Sequence, residues 1–208
     1  MNPYAGPGRT WPVRLADGDV ELRPLRRRDQ HAWMALRSQN AAWLEPWDAT
    51  SPTAVVGGPT PTFWQFVRNL NAQARSGQTL PFAVTYRGEL VGQLTVSSIT
   101  HGSLCSASIG YWVSQHVAGR GIIPTAVALA IDHCFGALRL HRVEINIRPE
   151  NERSLRVVAK LGLRDEGLRE RYLHIQGEWA DHRTFAITTE EVPEGLLARW
   201  YAARRPVP

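Results

Sequence analysis

Ser108-Ile-Gly-Tyr-Trp-Val-Ser-Gln-His-Val-Ala-Gly-Arg-Gly-Ile-Ile-Pro-Thr-Ala-Val-Ala-Leu-Ala-Ile-Asp-His-Cys-Phe135 is the stretch on which the fold turns. Ile109 to Val113 is short, apolar and aromatic, the pattern of a buried strand. From Pro124 the pattern is that of a helix. Ile123, Val127, Ala130/Ile131 and Cys134 fall on one apolar face, and Pro124 suits a first turn, where its missing N–H costs nothing. Gly119-Arg120-Gly121 lies between the two. A glycine-containing loop ending at a helix N-terminus turns several backbone N–H groups, and the positive end of the helix dipole, toward one point. Such a place suits a phosphate or pyrophosphate. A strand, a Gly-x-Gly turn and a helix also occur together as a plain tight turn in many α/β proteins.

Outward from this stretch the chain reads as alternating elements. Val20 to Leu25 predicts a first strand and Arg26 to Asn40 a helix, with Asp29 at its start. The aromatic, proline-broken segment Ala42 to Asp48 follows, then a loop over 51–61 rich in proline and glycine. Thr62 to Ser76 predicts a second helix with Gly77 as its stop. Leu80–Tyr86 and Glu89–Ile99 predict a hairpin around Arg87-Gly88, and Cys105–Val113 the strand entering the glycine loop. Arg142 to Arg148 alternates strictly, and Asn151 and Gly162 bracket a further helix. Strands near Arg164–Leu173 and Arg183–Thr188 and a helix from Glu194 to Arg204 close the chain. The fold class expected is α/β with a mixed sheet. Residues 1–17 are expected to form a flexible tail, 18–190 one domain, and 191–208 a terminal helix and tail.

Composition narrows the function. The chain has 208 residues, 43% hydrophobic and 21% charged, enough for one domain with a sizeable core. No run of about 18 apolar residues occurs, so a membrane span is not expected, and the first residues lack the pattern of a signal peptide. Cys105 and Cys134 lack a CxxC spacing, so two buried free thiols are expected and no metal. The net charge is +5, and Lys160 is the only lysine. Apart from Arg26-Arg27-Arg28 the arginines are spread along the chain rather than interleaved with aromatics. The arginine bias has two readings: a GC-rich genome that encodes arginine by default, and a positive field that attracts an anionic cofactor or a ribosomal, RNA-laden partner. The first is favoured, with attraction of the cofactor an addition, and no direct nucleic-acid contact is expected.

Several pieces, in order, carry a resemblance. They are Leu22-Arg-Pro-Leu25, Ile109-Gly-Tyr-Trp-Val113, Gly119-x-Gly121, His141-Arg-Val-Glu144, Asn151-x-x-Ser154, Lys160-Leu-Gly-Leu-x-x-Glu-Gly167 and Gly177-x-Trp-x-Asp181. From about Val20 to Thr189 the chain resembles the Gcn5-related N-acetyltransferase (GNAT) superfamily, and within it the ribosomal-protein (Rim-type) N-terminal acetyltransferases. The resemblance implies the GNAT acyl-CoA N-acyltransferase fold, a mixed, mostly antiparallel twisted sheet flanked by helices. It also implies a cytoplasmic enzyme, monomer or homodimer, that transfers acetyl from acetyl-CoA directly to the N-terminal α-amine of a protein, a ribosomal protein with N-terminal Ala or Ser. A small-molecule amine acetyltransferase of the same fold and a non-catalytic acyl-CoA-binding regulator are the alternatives.

The same resemblance implies roles. Gly119, Arg120, Gly121, Ile122, Ile123 and Pro124 would cradle the pyrophosphate. The family's Q/R-x-x-G-x-G/A pattern falls on Ala118 to Ile123, where only the glycine at 121 stands in place. The backbone of Tyr111, Trp112 and Val113 would face the thioester and pantetheine, with Asn151 on a pantetheine amide. Ser154 would assist the leaving thiolate, because the position of the tyrosine used by many members is Val158. The glutamate some members use as base falls on Asn146, which leaves Glu144, two residues earlier, as the carboxylate of that strand face. Trp43, Glu45 and Trp47, with Asp48, would meet the acceptor, and the hairpin from Tyr172 to Asp181 would close its other side.

Overall fold

A computed structural model describes residues 11–53 and 61–204. Strands β1 (Leu15–Asp17) and β2 (Val20–Pro24) lead through a 3-10 turn to helix α1 (Gln30–Gln39) and the short helix α2 (Ala41–Leu44). Then come α3 (Phe63–Arg75), β3 (Leu80–Tyr86), β4 (Glu89–Thr100), β5 (Ser106–Val113), α4 (Ile122–Gly136), β6 (Arg142–Ile147), α5 (Glu152–Leu161), β7 (Arg164–Ile175), β8 (Glu178–Thr188) and α6 (Leu196–Ala202). The strands form one sheet in the order β1-β2-β3-β4-β5-β6-β8-β7. Every pairing is antiparallel except β5 with β6, the parallel pair bridged by α4. No helix among the described residues is long and apolar enough to cross a membrane.

Local chemistry explains most boundaries. Arg87 and Gly88 both have positive φ, 53° and 84°, the geometry a two-residue hairpin needs to match strand twist. Thr62 and Gln65 form a reciprocal capping box on α3. Asn151 Oδ1 accepts the Ser154 N–H at 3.1 Å, and Gly162, in the left-handed region, ends α5. Val143, Ile145 and Ile147 are buried, as the alternation in β6 requires.

Three expectations are corrected. The tail assigned to residues 1–17 belongs to the fold from residue 11 on. Trp11 packs on Phe82 with ring centroids 5.5 Å apart, and β1 pairs with β2. A three-residue strand is too short to show a period in sequence. Residues 1–10 lie outside the described part, as does most of the expected 51–61 loop, residues 54–60. Helix α4 is buried nearly all round, not on one stripe, because the sheet covers one side and α6 the other. Asp132 on α4 anchors α6 by accepting the N–H groups of Leu196 and Leu197 at 2.6 and 3.1 Å. Finally, only Cys134 is fully buried, its thiol pushed up to about 12 by desolvation, whereas Cys105 is half-buried and donates to the Arg139 carbonyl at 3.2 Å.

Asp29 has a second role besides its place at the start of α1. Its carboxylate accepts both Arg23 guanidinium nitrogens, at 2.7 and 2.9 Å, and the Arg26 N–H at 2.7 Å, with the side chains of Arg23 and Asp29 both buried. Burial alone would push this carboxyl up, but the hydrogen bonds from Arg23 and Arg26 and the Arg23 charge outweigh it and hold it below its usual range. A depressed folded-state pKa means stability that is present above the unfolded value and lost as pH falls through the folded one. Asp29→Asn is expected to cost about 1.5–3 kcal/mol near neutral pH. The gap between variant and native protein should close below about pH 4. Chemical denaturation across that range measures it, and a gap that persists undiminished well below pH 4 would assign the loss to packing.

Candidate active site

The site begins where two strands part. β5 pairs with β6 only at Ser106↔Arg142, Ala107↔Val143 and Ser108↔Glu144. Beyond Ser108, β5 continues on β4 alone while β6 continues on β8. One edge of Ile109 to Val113 is thereby left with alternate N–H and C=O groups lacking a strand partner. A bulge on the other side fixes this end. Val91 has no opposite residue in β3, and its carbonyl accepts the Ser114 N–H at 2.8 Å. Gly92 then lies so close to β5 that an added Cβ would stand 2.2 Å from the Trp112 carbonyl oxygen.

Below this end, Gly119 and Gly121 both have positive φ, 84° and 82°. Among the described residues, the N–H groups of Gly119, Arg120 and Gly121 find no backbone acceptor. The first backbone bond of α4 runs from Thr125 to Gly121, so Ile122 and Ile123 also keep free N–H groups. These donors open on a cavity of about 550 Å³. It is walled by β4, the parted end of β5, the glycine loop, α5 and the aromatic segment around Trp43 and Trp47.

Of the residues expected to hold a cofactor, Tyr111, Trp112, Val113, Gly119, Gly121, Ile122, Ile123, Pro124 and Asn151 line this cavity. Arg120 does not. Its side chain is exposed and turns back to the His116 carbonyl at 3.4 Å. Asn151 spends its carbonyl oxygen on the helix cap, which leaves its amide N–H groups free to donate into the cavity. Ser154 stands beside the Tyr111 hydroxyl, which is buried and lacks a hydrogen bond of standard geometry. Desolvation pushes that phenol up despite the serine, so it stays protonated. Val158 is buried in the core and absent from the wall.

Glu144 is the clearest correction. Its carboxylate is held by Arg142 at 2.9 Å and Arg169 at 2.8 Å, and it does not line the cavity. Arg142, two residues earlier on the same face of β6, and Arg169 on β7, two strands away, satisfy it, and the alternating pattern could not reveal the second. Asn146 is likewise engaged, accepting the Thr184 hydroxyl at 2.8 Å. On the acceptor side Trp43 and Trp47 line the cavity, but Glu45 is exposed and outside it. Asp48 reaches the wall and is ion-paired with Arg37. The aromatic segment meets the last hairpin directly, through the Ala49↔Ile175 bridge and the Thr50 N–H to His174 carbonyl bond of 2.8 Å. The hairpin therefore backs the aromatic segment, and none of its residues from Tyr172 to Asp181 lines the cavity, so it does not close the other side.

Two groups were missed in the sequence. Gln93, Thr95 and Ser97, alternate residues of β4, present polar side chains to the cavity. Arg153, Arg156 and Lys160 present a basic face of α5 at i, i+3, i+7, a spacing that was legible. The Arg153 guanidinium covers the Trp43 ring at 4.1 Å, and the indole N–H donates to the Val113 carbonyl at 3.0 Å. Asn40, buried at the end of α1, ties this corner together. Its amide donates to the Leu36 carbonyl and the Ser114 hydroxyl at 2.8 and 2.9 Å, and its oxygen accepts the Gln115 N–H at 2.8 Å.

The cavity thus offers an apolar and amide-binding stretch along β5, and phosphate-binding donors with basic side chains at the glycine loop and α5. That donor set fits a long, amide-containing ligand with phosphates at one end. Comparison with known proteins agrees. Residues 19–164 match the family described as "Acetyltransferase (GNAT) domain". The structure superposes on Mycobacterium smegmatis RimJ in complex with CoA-disulfide with a TM-score of 0.86 and 43% identity, covering 94% of this chain and 96% of that one. The sequence is 28% identical to the [Ribosomal protein uS5]-alanine N-acetyltransferase of Escherichia coli over 88% of this chain and 94% of that protein. A shorter match, 39% identical over 98 residues, joins it to Bacillus subtilis "Probable N-acetyltransferase YjcK" and spans 54% of that protein.

Proposed function

The chain belongs to the GNAT acetyltransferase family, and we propose that it acetylates the N-terminal α-amine of a protein, with a ribosomal protein beginning in Ala or Ser as acceptor and acetyl-CoA as donor. The observation that carries this reading is the parting of β5 from β6 above a glycine loop with free N–H groups. The acceptor rests on the likeness to enzymes named for ribosomal-protein alanine acetylation.

Bound acetyl-CoA supplies the acetyl group and leaves as a thiol. The chain's own residues supply position. The loop N–H groups and the α5 cations hold the phosphates, Asn151 donates to an amide carbonyl, and the unpaired N–H groups of the β5 edge polarise the thioester oxygen. No unpaired carboxylate lines the cavity among the described residues, since Asp48 is bound by Arg37. A strong base is not required. An α-amine of pKa about 8 is roughly one-tenth neutral at pH 7, and water carries its proton away. Turnover should therefore rise with pH up to the amine's own pKa.

To Ser154, which lines the cavity beside the Tyr111 hydroxyl, we assign a hydrogen bond to the departing sulfur. A thiol of pKa about 8.5 leaves fairly well unaided. Ser154→Ala is accordingly expected to lower kcat only roughly tenfold, at the weak end of positioned acids, with acetyl-CoA affinity unchanged. Full kcat in that variant, measured where chemistry limits the rate, would reduce Ser154 to a helix-start residue. The function itself is tested by turnover with peptides beginning in Ala or Ser beside spermidine and other small amines. Mass spectrometry should place the acetyl group on the peptide α-amine. Turnover confined to the small amines would replace the protein acceptor by a small molecule.

A further inference from the structure

A second feature of the surface shares no residue with the acetyl-transfer cavity. The segment before β1, the 3-10 turn Arg27–Asp29 and helix α3 enclose an open groove of about 820 Å³. Six arginines line it: Arg14, Arg26, Arg27, Arg28, Arg68 and Arg75. Among the described residues no carboxylate does. Arg14 is paired with Glu21, and Asp29 is consumed by Arg23, but among the described residues none of the other five finds an ion-pair partner. Crowding has a cost. The Arg26 guanidinium is pushed down by burial and then by Arg23, Arg28 and Arg14 around it. Surface arginines elsewhere in the chain mostly find carboxylates, as Arg142, Arg164 and Arg183 do.

At the centre stands Trp64, 39% exposed, with the guanidinium groups of Arg27 and Arg68 each 4.9 Å from its ring centroid. Stacking fixes a guanidinium plane while leaving its in-plane N–H donors free, which suits bidentate binding of phosphate. Trp64, Arg68, Asn71 and Arg75 recur at i, i+4, i+7, i+11 on one face of α3. The row therefore runs along the groove for about 16 Å, with its two cations, Arg68 and Arg75, about 10 Å apart along the helix axis, far enough for more than one phosphate. An aromatic platform within a cationic track is the recognition chemistry of single-stranded nucleic acid. A lipid surface would call for several apolar anchors rather than one ringed by charge.

We propose that this groove binds single-stranded RNA, its arginines taking the phosphates and Trp64 stacking on a base that takes the place of one of its two stacked guanidinium groups. The site is independent of acetyl transfer. In the sequence its arginines fall in three separate stretches, and only the packing of α3 against the 3-10 turn gathers them.

The test is fluorescence anisotropy of a short labelled oligouridine with the full-length protein at low and physiological ionic strength. Binding should weaken with salt. Arg27→Gln with Arg68→Gln should weaken it roughly tenfold and lower the salt slope by about 0.7 for each phosphate that is no longer neutralised. Trp64→Ala, which keeps every charge, should weaken it roughly fivefold or more. A charge-matched control, Arg139→Gln with Arg171→Gln, should weaken it far less than the groove pair. Circular dichroism and unchanged acetyl transfer to peptide by the groove variants separate this outcome from misfolding and from any failure of the acetyltransferase reading. Absence of binding at low salt, equal weakening in control and groove pairs, or binding of anionic vesicles but not of RNA would each overturn the proposal.

Discussion

Replacing Gly121 by valine is expected to reduce CoA affinity by roughly 10²-fold or more while leaving a folded protein. Gly121 has φ 82° and is the residue from which α4 starts. A β-branched side chain is rarely tolerated there, at a cost of roughly 1–2 kcal/mol. That is tolerable within a total stability of about 5–15 kcal/mol. The space around the missing side chain is not the obstacle, since the nearest atoms, on Trp200 and Arg204, would be 3.6 Å from a new Cβ. Relief of the backbone strain, however, must rotate the peptides that aim the loop N–H groups. Several charge-assisted bonds to phosphate would then fail together, each worth about 1.5–3 kcal/mol. Isothermal titration with CoA measures the effect. A folded Gly121→Val protein with undiminished affinity would remove the loop from the binding site.

Gly92→Val is expected to cost the most in stability, at least about 3 kcal/mol. A Cβ at this position would meet only backbone: the Trp112 oxygen at 2.2 Å, the Val113 Cα at 3.0 Å and the Trp112 carbonyl carbon at 3.2 Å. No rotamer change can yield that space, so β4 and β5 must separate at the end that forms the cavity wall. Loss of soluble protein, or a melting temperature many degrees lower with weakened CoA binding, is the expected result. Gly110→Ala on β5 serves as the comparison, because nothing lies within 4 Å of its added Cβ. Equal melting temperatures for native protein and Gly92→Val would mean that the strands do not need this close approach.

Features that depend on neighbours along the chain were legible before any packing was known. The hairpin at Arg87-Gly88, the Asn151 and Gly162 ends of α5, the alternation of Val143 to Ile147 and the strand–glycine–helix unit at 108–135 each follow from local backbone chemistry. The ordered motifs added the family. Those pieces already contained the backbone N–H groups proposed to meet the cofactor, because they belong to one continuous stretch. The remainder follows from packing between distant elements. Glu144 looked free until Arg142 and Arg169 were seen to hold it. Glu45 and Arg120 were near the right place in sequence and point elsewhere in space. Gln93, Thr95 and Ser97 became wall residues only because β5 leaves β6 above them. Arginines that were scattered in sequence became one groove around Trp64. The physical reason is clearest for Glu144 and the groove arginines. Backbone conformation is set largely by a residue and its nearest neighbours, whereas the partner of a charged side chain is chosen by which distant strand or helix the packing brings alongside it.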